Sequence, residues 1–255
     1  MVRTETDGRV RYLRFDRPEA KNAYTADAAR EFVAALEAAA DDDVRAVVVT
    51  GDGDAFCAGG DIEAMAAREE SPEEAYRRVR ETLTATVEGL LEAPFPVLAR
   101  VNGDAVGAGT NIAAACDFAV AAEGARFGEA FVNVGLIPDS GGTFLLPRLV
   151  GLRTAKELAM TGRLFDAVEA AGMDLVNRAV PPGELDDAVG DLLETLGSKP
   201  TETLALAKEG IHGNIGRPVG EALEREANLQ VRAYGTDAHE EGVAAFLEDR
   251  RPDFD

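Results

Sequence analysis

The sequence predicts an α/β fold whose last quarter is entirely helical. Three observations carry that reading. A unit of strand, Gly-containing turn and helix recurs about every 50 residues, as VVVTG then GGDI, VLARVNG then GAGTN, and DFAVAA then FGEAF. No single unit of this kind could bury both of its faces, so the units are expected to stack on one another. After Ser198 the strand signals stop, and a helical pattern runs to about Asp249. The expected division is an α/β core over residues 1–196 and a helical segment over 197–255, with no low-complexity linker between them.

Taken in order, Val2 to Thr6 and Val10 to Phe15 flank Asp7-Gly8, a hairpin signal. Thr25 can cap a helix running to about Ala40, with Asp27 favourable in its first turn. Val44 to Thr50 (VRAVVVT) reads as a buried strand, and Gly51 to Gly60 as a Gly-rich loop opening a helix near Asp61. Ser71-Pro72 restarts a helix, with Pro in its first turn, to about Glu92. Pro96 to Val101 is a second buried strand. Asn102-Gly103 follows, then an Ala-rich helix from Gly107 to Cys116 and a third strand over Asp117 to Ala121.

Hydrophobic residues make up 46% of the 255, enough for a sizeable core, but aromatic residues are 6% and Trp is absent. That core must be built largely from Ala, Val and Leu. The net charge is -21, and 22 of the 26 basic residues are Arg. An acid-rich, Lys-poor surface suits a cytoplasm of very high salt, where a Debye length of ~3 Å screens self-repulsion. The same charge argues against nucleic acid as a partner, because phosphate-backbone binding needs clustered Lys and Arg. Cys57 and Cys116 form no C-x-x-C pair and no metal-ligand spacing with His212 and His239, so no metal is expected. No apolar run approaches ~18 residues and the first ten residues carry no signal-like stretch, so no membrane is expected as a partner and a reduced, cytoplasmic protein is.

Two loops rich in small residues each open a helix: Phe56 to Ile62 (FCAGGDI) and Asn102 to Asn111 (NGDAVGAGTN). Small residues let backbone N–H groups approach a ligand, and a helix N-terminus adds a positive dipole. Two such loops facing one point would form an oxyanion hole. Either loop alone could equally be a tight-packing turn.

Together with R-P-x-x-x-N (Arg17 to Asn22), F-G-E-A-F, G-L-I-P-D-S-G-G-T and E-G-V-A-A-F-L-E-D-R-R-P-x-F (Glu241 to Phe254), these loops resemble the enoyl-CoA hydratase/isomerase (crotonase) family in order and spacing over nearly the whole chain. The resemblance implies a crotonase-like spiral of ββα units, a trimerising helical C-terminus, a homotrimer or dimer of trimers, and an acyl-CoA thioester as substrate. No cofactor is implied beyond the coenzyme A of that substrate. By matching motifs, the oxyanion donors would be the N–H groups of Ala58 and Ala108. The family's hydratases carry catalytic Glu residues where this chain has Asn111 and Phe131, which makes water addition doubtful. The P-D-x-G-G turn instead resembles the ring-epoxide and enoyl-CoA isomerases of phenylacetyl-CoA breakdown, implying Asp139 as the acid/base. An apolar lining of Phe131, Leu136 and Ile137 would raise its pKa. The bland alternative is that Asp139 only caps the next helix. Asn111 is placed in the substrate pocket on the same resemblance, and Met65 is read as lining it, with a core Met at helical spacing as the alternative. Lys21, Asp61, Ile62 and Arg250 are placed against CoA, Arg250 from across a subunit boundary, though Asp61 is first of all a helix cap and Lys21 and Arg250 read equally well as solvated surface charges. Cys57, beside the proposed donor, is expected to be a packing residue.

Overall fold

Ten strands and twelve helices form the computed structural model, which describes residues 1–254. The hairpin is present as β1 (Val2–Asp7) and β2 (Val10–Phe15), turning at Gly8 with φ 57°. Helix α1 (Ala26–Asp41) is capped by Thr25, whose side chain accepts from the Ala28 N–H. The β-branched run forms β3 (Ala46–Gly51), and the loop after it holds a three-residue strand, β4 (Ala55–Cys57), before α2 (Ile62–Ala66).

Helix α3 (Pro72–Val79) opens on a Ser71/Glu74 capping box. A widened π turn over 80–84 then joins it to α4 (Ala85–Glu92). The second unit is β5 (Val97–Val101), β6 (Asp104–Val106) and α5 (Ala108–Ala115). The third is β7 (Phe118–Ala122), β8 (Arg126–Gly128) and, after a 3-10 stretch, α6 (Gly142–Leu149). Then come α7 (Gly151–Thr161), β9 (Leu164–Asp166), α8 (Ala167–Gly172), β10 (Arg178–Val180) and α9 (Leu185–Gly197). Helices α10 (Thr201–Asn214), α11 (Val219–Tyr234) and α12 (Asp237–Leu247) end the chain.

The strands sort into two sheets. One has the order β1-β2-β3-β5-β7-β10 and the other β4-β6-β8-β9. Each of the three central units therefore gives its first strand to the large sheet and its second to the small one, and the chain spirals between them. The inner strands β3, β5 and β7 of the large sheet are covered on both faces, which is why they read as largely apolar runs, whereas the edge strand β1 is exposed. Alternation along β3 shows this directly. Val47 and Val49 enter the main core, whereas Ala46 and Val48 face α9 through Leu185 and Val189.

At one end of the main core Phe15 meets Tyr24, Phe32 and Phe56 with ring centroids 5.6–5.7 Å apart. Truncating a buried ring such as Phe32 to Ala costs ~3–5 kcal/mol by the usual cavity argument. This cluster fixes the base of the β4 loop, since Phe56 is its middle residue. Two asparagines complete the anchoring. Asn22, which is buried, accepts from the Arg17 N–H and donates to the carbonyls of Asp52 and Ala55; Asn102 accepts from the Gly51 N–H and donates to the carbonyl of Gly53. The R-P-x-x-x-N and N-G motifs thus hold loops in place, and do no chemistry of their own.

Candidate active site

Strands β4 and β6 pair in parallel, with Cys57 opposite Ala105. Two residues further along each chain, Gly59 and Gly107 still touch: a Cβ built on Gly107 would stand 3.8 Å from the Gly59 Cα, and one built on Gly59 would stand 2.9 Å from the Val106 oxygen. Both glycines have positive φ, 97° and 55°. The next residues in the two turns are Gly60 and Ala108, which line one cavity. Ala108 is the first residue of α5, so its N–H has no intrahelical acceptor.

The expected pairing of Ala58 with Ala108 needs correction. The Ala58 N–H is committed to the Lys21 carbonyl at 3.0 Å, and Ala58 is not among the residues lining the cavity. The Gly60 N–H has no hydrogen-bond partner among the described residues, and register places Gly60, not Ala58, opposite Ala108.

The cavity has a volume of about 590 Å³. Tyr24, Met65, Val79, Leu83, Phe131 and Leu136 give it apolar walls. Two carboxylates reach it. Glu70 is held by Arg78 in a bidentate pair at 2.6 and 3.0 Å. Asp139 makes no ion pair within 4 Å among the described residues; burial pushes its pKa up, opposed by a hydrogen bond from the Ser140 hydroxyl and, more weakly, by the charge of Arg78. Its side chain does not cap α6, whose N-cap is Gly141 and carries no side-chain cap bond. Ser140 and Gly141 both have positive φ, 48° and 79°, so the chain reverses sharply just after Asp139.

Met65, Phe131 and Leu136, expected in the substrate pocket, line the cavity with Asp139, and so does Ile62, which was expected against CoA. Ile137 does not, and it is 75% exposed. Asn111 is fully buried and sits behind the cavity wall, where its amide donates to the Asp139 carbonyl at 2.9 Å. Asp61 caps α2, accepting from the Ala64 N–H, and pairs with Arg17 at 3.0 Å. Lys21 lies 3.9 Å from Asp104, and Arg250 is paired with Glu241 and Glu248 on the C-terminal helix. Cys57 is fully buried and burial pushes its thiol up to about 12, which suits packing and not nucleophilic attack.

Sequence reasoning missed Tyr24, Arg78 and Glu129. Tyr24 is bonded to Thr86 at 2.7 Å on the cavity floor. Glu129 is a fully buried carboxyl beside Asn111, pushed up to about 8 by burial. A larger cavity, about 820 Å³, lies between α10, α11 and the end of α4, but it does not adjoin the two amides. Among the described residues no helix is long and apolar enough to cross a membrane.

The comparisons with known proteins agree with this geometry. The sequence profile of the enoyl-CoA hydratase/isomerase family matches residues 5–255. A Rhodobacter capsulatus protein named "Probable enoyl-CoA hydratase" is 38% identical over 253 residues, covering 99% of this chain and 97% of that protein. The trans-2-decenoyl-[acyl-carrier-protein] isomerase of Streptococcus mutans is 33% identical over 250 residues, covering 97% and 95%. The crystal structure of the Mycobacterium smegmatis enoyl-CoA hydratase superposes with a TM-score of 0.94 at 35% identity, covering 99% of this chain and 98% of that one. With two sheets joined by a spiral of ββα units and two small-residue turns meeting at one cavity, the chain belongs to the enoyl-CoA hydratase/isomerase family.

Proposed function

We propose that the enzyme shifts a double bond, or rearranges a ring epoxide, in an acyl-CoA thioester. The thioester oxygen sits between the N–H groups of Gly60 and Ala108, which stabilise it as negative charge develops on the enolate. Asp139 removes a proton from one carbon and returns it two carbons away. A carboxylate raised by burial is a stronger base than one in water, and its acid form is still available to give the proton back.

The observation that carries this reading is that, of the two cavity carboxylates among the described residues, Glu70 is paired with Arg78 and Asp139 has no cation partner; by the motif match, Phe131 and Asn111 stand where the family's hydratases carry their two acids. Hydration of an enoyl-CoA is the second reading, favoured by the names of relatives such as the Rhodobacter protein. A catalytically silent CoA- or RNA-binding homologue is the reading outside enzymes; the free Asp139 and the net charge of -21 weigh against it.

Lys21, Asp61, Ile62 and Arg250 are carried as the CoA-facing residues, and a homotrimer or dimer of trimers as the assembly. Exposed Leu152, Met160, Val168, Val231 and Phe246 supply apolar surface for such contacts. The test is an assay of purified enzyme with cis-3-enoyl-CoA and trans-2-enoyl-CoA in low and molar salt. Interconversion of the two with little 3-hydroxyacyl product supports the isomerase; rapid hydration of crotonyl-CoA would overturn it.

A further inference from the structure

Glu129 follows the last residue of β8 and has no exposed surface, yet no cation lies within ion-pair distance of it among the described residues. An ionised carboxylate in such a place would lose its hydration and gain almost nothing in return. Its surroundings are short of hydrogen-bond donors in a specific way. The Asn111 amide nitrogen serves both the Asp139 carbonyl at 2.9 Å and Glu129 Oε2 at 3.4 Å, while Asn111 Oδ1 and Glu129 Oε1 are both buried without a partner. One amide nitrogen therefore serves two acceptors, and two more buried oxygens, the amide's own Oδ1 and Glu129 Oε1, are left without a donor. A single proton on Glu129 turns one orphaned acceptor into a donor for its neighbours.

We infer that Glu129 works as a neutral carboxylic acid, a positioning residue that locks the Asn111 amide against the backbone of Asp139 and so sets the place and charge of the base. This deepens the proposed isomerase and rests on Asp139 being its acid/base. The sequence is economical at this point. Gly142 closes the cluster from α6, and a Cβ there would stand 2.5 Å from the Asn111 amide nitrogen. The groups that face Glu129 are few. Asn111 from α5 is neutral, Asp139 from the turn before α6 is the charge it feels, and Arg78 from α3 faces Asp139 from the far side of the cavity. On its own strand, Arg126 points outward to Asp104. Burial raises the Glu129 pKa to about 8 against the hydrogen bond from Asn111, which lowers it, with a further lift from the nearby Asp139 charge, and this agrees with the neutral form at neutral pH.

Ionising Glu129 would place a second negative charge behind the base and the developing enolate, so turnover should have an alkaline limb. The experiment measures isomerase kcat and KM from pH 6 to 9.5 for the wild type, Glu129→Gln and Glu129→Leu. Gln can donate where the acid donates but cannot ionise. The wild type should fall at least ~5-fold between pH 7.5 and 9.5, with a midpoint near the group's pKa of about 8. Glu129→Gln should stay within ~3-fold of wild type at pH 7 and lose that limb. Glu129→Leu should lose ~10-fold or more in kcat at every pH, with KM little changed.

An infrared spectrum supplies a readout that does not depend on turnover. In an Asp139→Asn background at pH 7, a buried protonated-carboxyl band should be present and should vanish when Glu129→Gln is added. An unchanged alkaline limb in Glu129→Gln, equal activity of the Gln and Leu variants, or no such band would overturn the inference. Full isomerase activity in Asp139→Asn would sink the proposed function instead, and the infrared band would still decide the state of Glu129.

Discussion

Asn111 donates its side-chain amide to the backbone oxygen of Asp139 at 2.9 Å, from a site with no solvent exposure of its own. Asn111 is thus part of the scaffold under Asp139, the proposed base. Its amide bridges α5 to the turn before α6, and two of the elements that bound the cavity are joined by that one group.

Replacing Asn111 by Asp keeps the shape but removes the donor and adds a charge beside Glu129. The variant should lose at least ~100-fold in isomerase kcat and ~2–4 kcal/mol of stability, because an unpaired charge is created in the interior. Thermal unfolding and steady-state rates measured on one preparation check both.

Asp139→Asn removes the base while keeping size and hydrogen bonding. Isomerase turnover should fall by ~10²–10⁴-fold with CoA affinity nearly unchanged, the usual worth of a positioned acid/base. Titrating CoA by calorimetry alongside the kinetics separates the two effects. A variant with full turnover would reduce Asp139 to a turn residue.

Ala108 is the first residue of its helix, a position that tolerates Pro. Ala108→Pro therefore deletes one N–H with the helix preserved. Turnover should drop by ~10²–10³-fold, or ~2.7–4 kcal/mol in the transition state, with a melting temperature close to wild type. A drop in the melting temperature matching the loss of activity would point to damage to the fold and not to a lost donor.

Much of this arrangement was legible in the sequence, and the gaps have physical causes. The strands β3, β5 and β7 showed as apolar runs because both faces of their sheet are covered. The partner strands β4, β6 and β8 are three residues long, too short for any periodicity; β4 and β6 lie where the sequence reads as loop, and β8 begins the F-G-E-A-F stretch that reads as the helical part of its unit. That omission led to the error at Ala58: a motif marks the turn, but only the pairing of β4 with β6 says which amide faces Ala108. Ile137 is close to Asp139 in the chain, yet of this segment only Val134, Leu136 and Asp139 line the cavity, and Ile137 is exposed. Glu129 gave no signal, since one acid in a chain with 47 acidic residues reads as surface charge.

The raised pKa of Glu129 also has a consequence for stability. A carboxyl that titrates near 4.5 when unfolded and at about 8 when folded binds a proton in the native state that the unfolded chain has already lost. Its contribution is fully present below the lower value and is lost as pH rises to the upper one. Relative to Glu129→Gln, the wild type should lose up to ~1.4 kcal/mol per pH unit across that window. Urea unfolding of both proteins at pH 5, 6.5 and 8 measures it. Parallel stability profiles would show that Glu129 titrates normally.

The pairing of Cys57 with Ala105 carries a last implication, for how the catalytic spacing is gauged. Gly60 and Ala108 lie the same number of residues beyond that pair, so in the proposed oxyanion hole the spacing to be matched by their two N–H groups is that of neighbouring strands, ~4.8 Å. Two donors that far apart, each ~2.9 Å from a shared oxygen, subtend an angle of roughly 110° at it, close to the spread of an oxygen's lone pairs. A sheet thus acts as a ruler for an anion. Inserting one residue into either turn would leave both strands paired and both helices intact, yet take the two donors off a common mark.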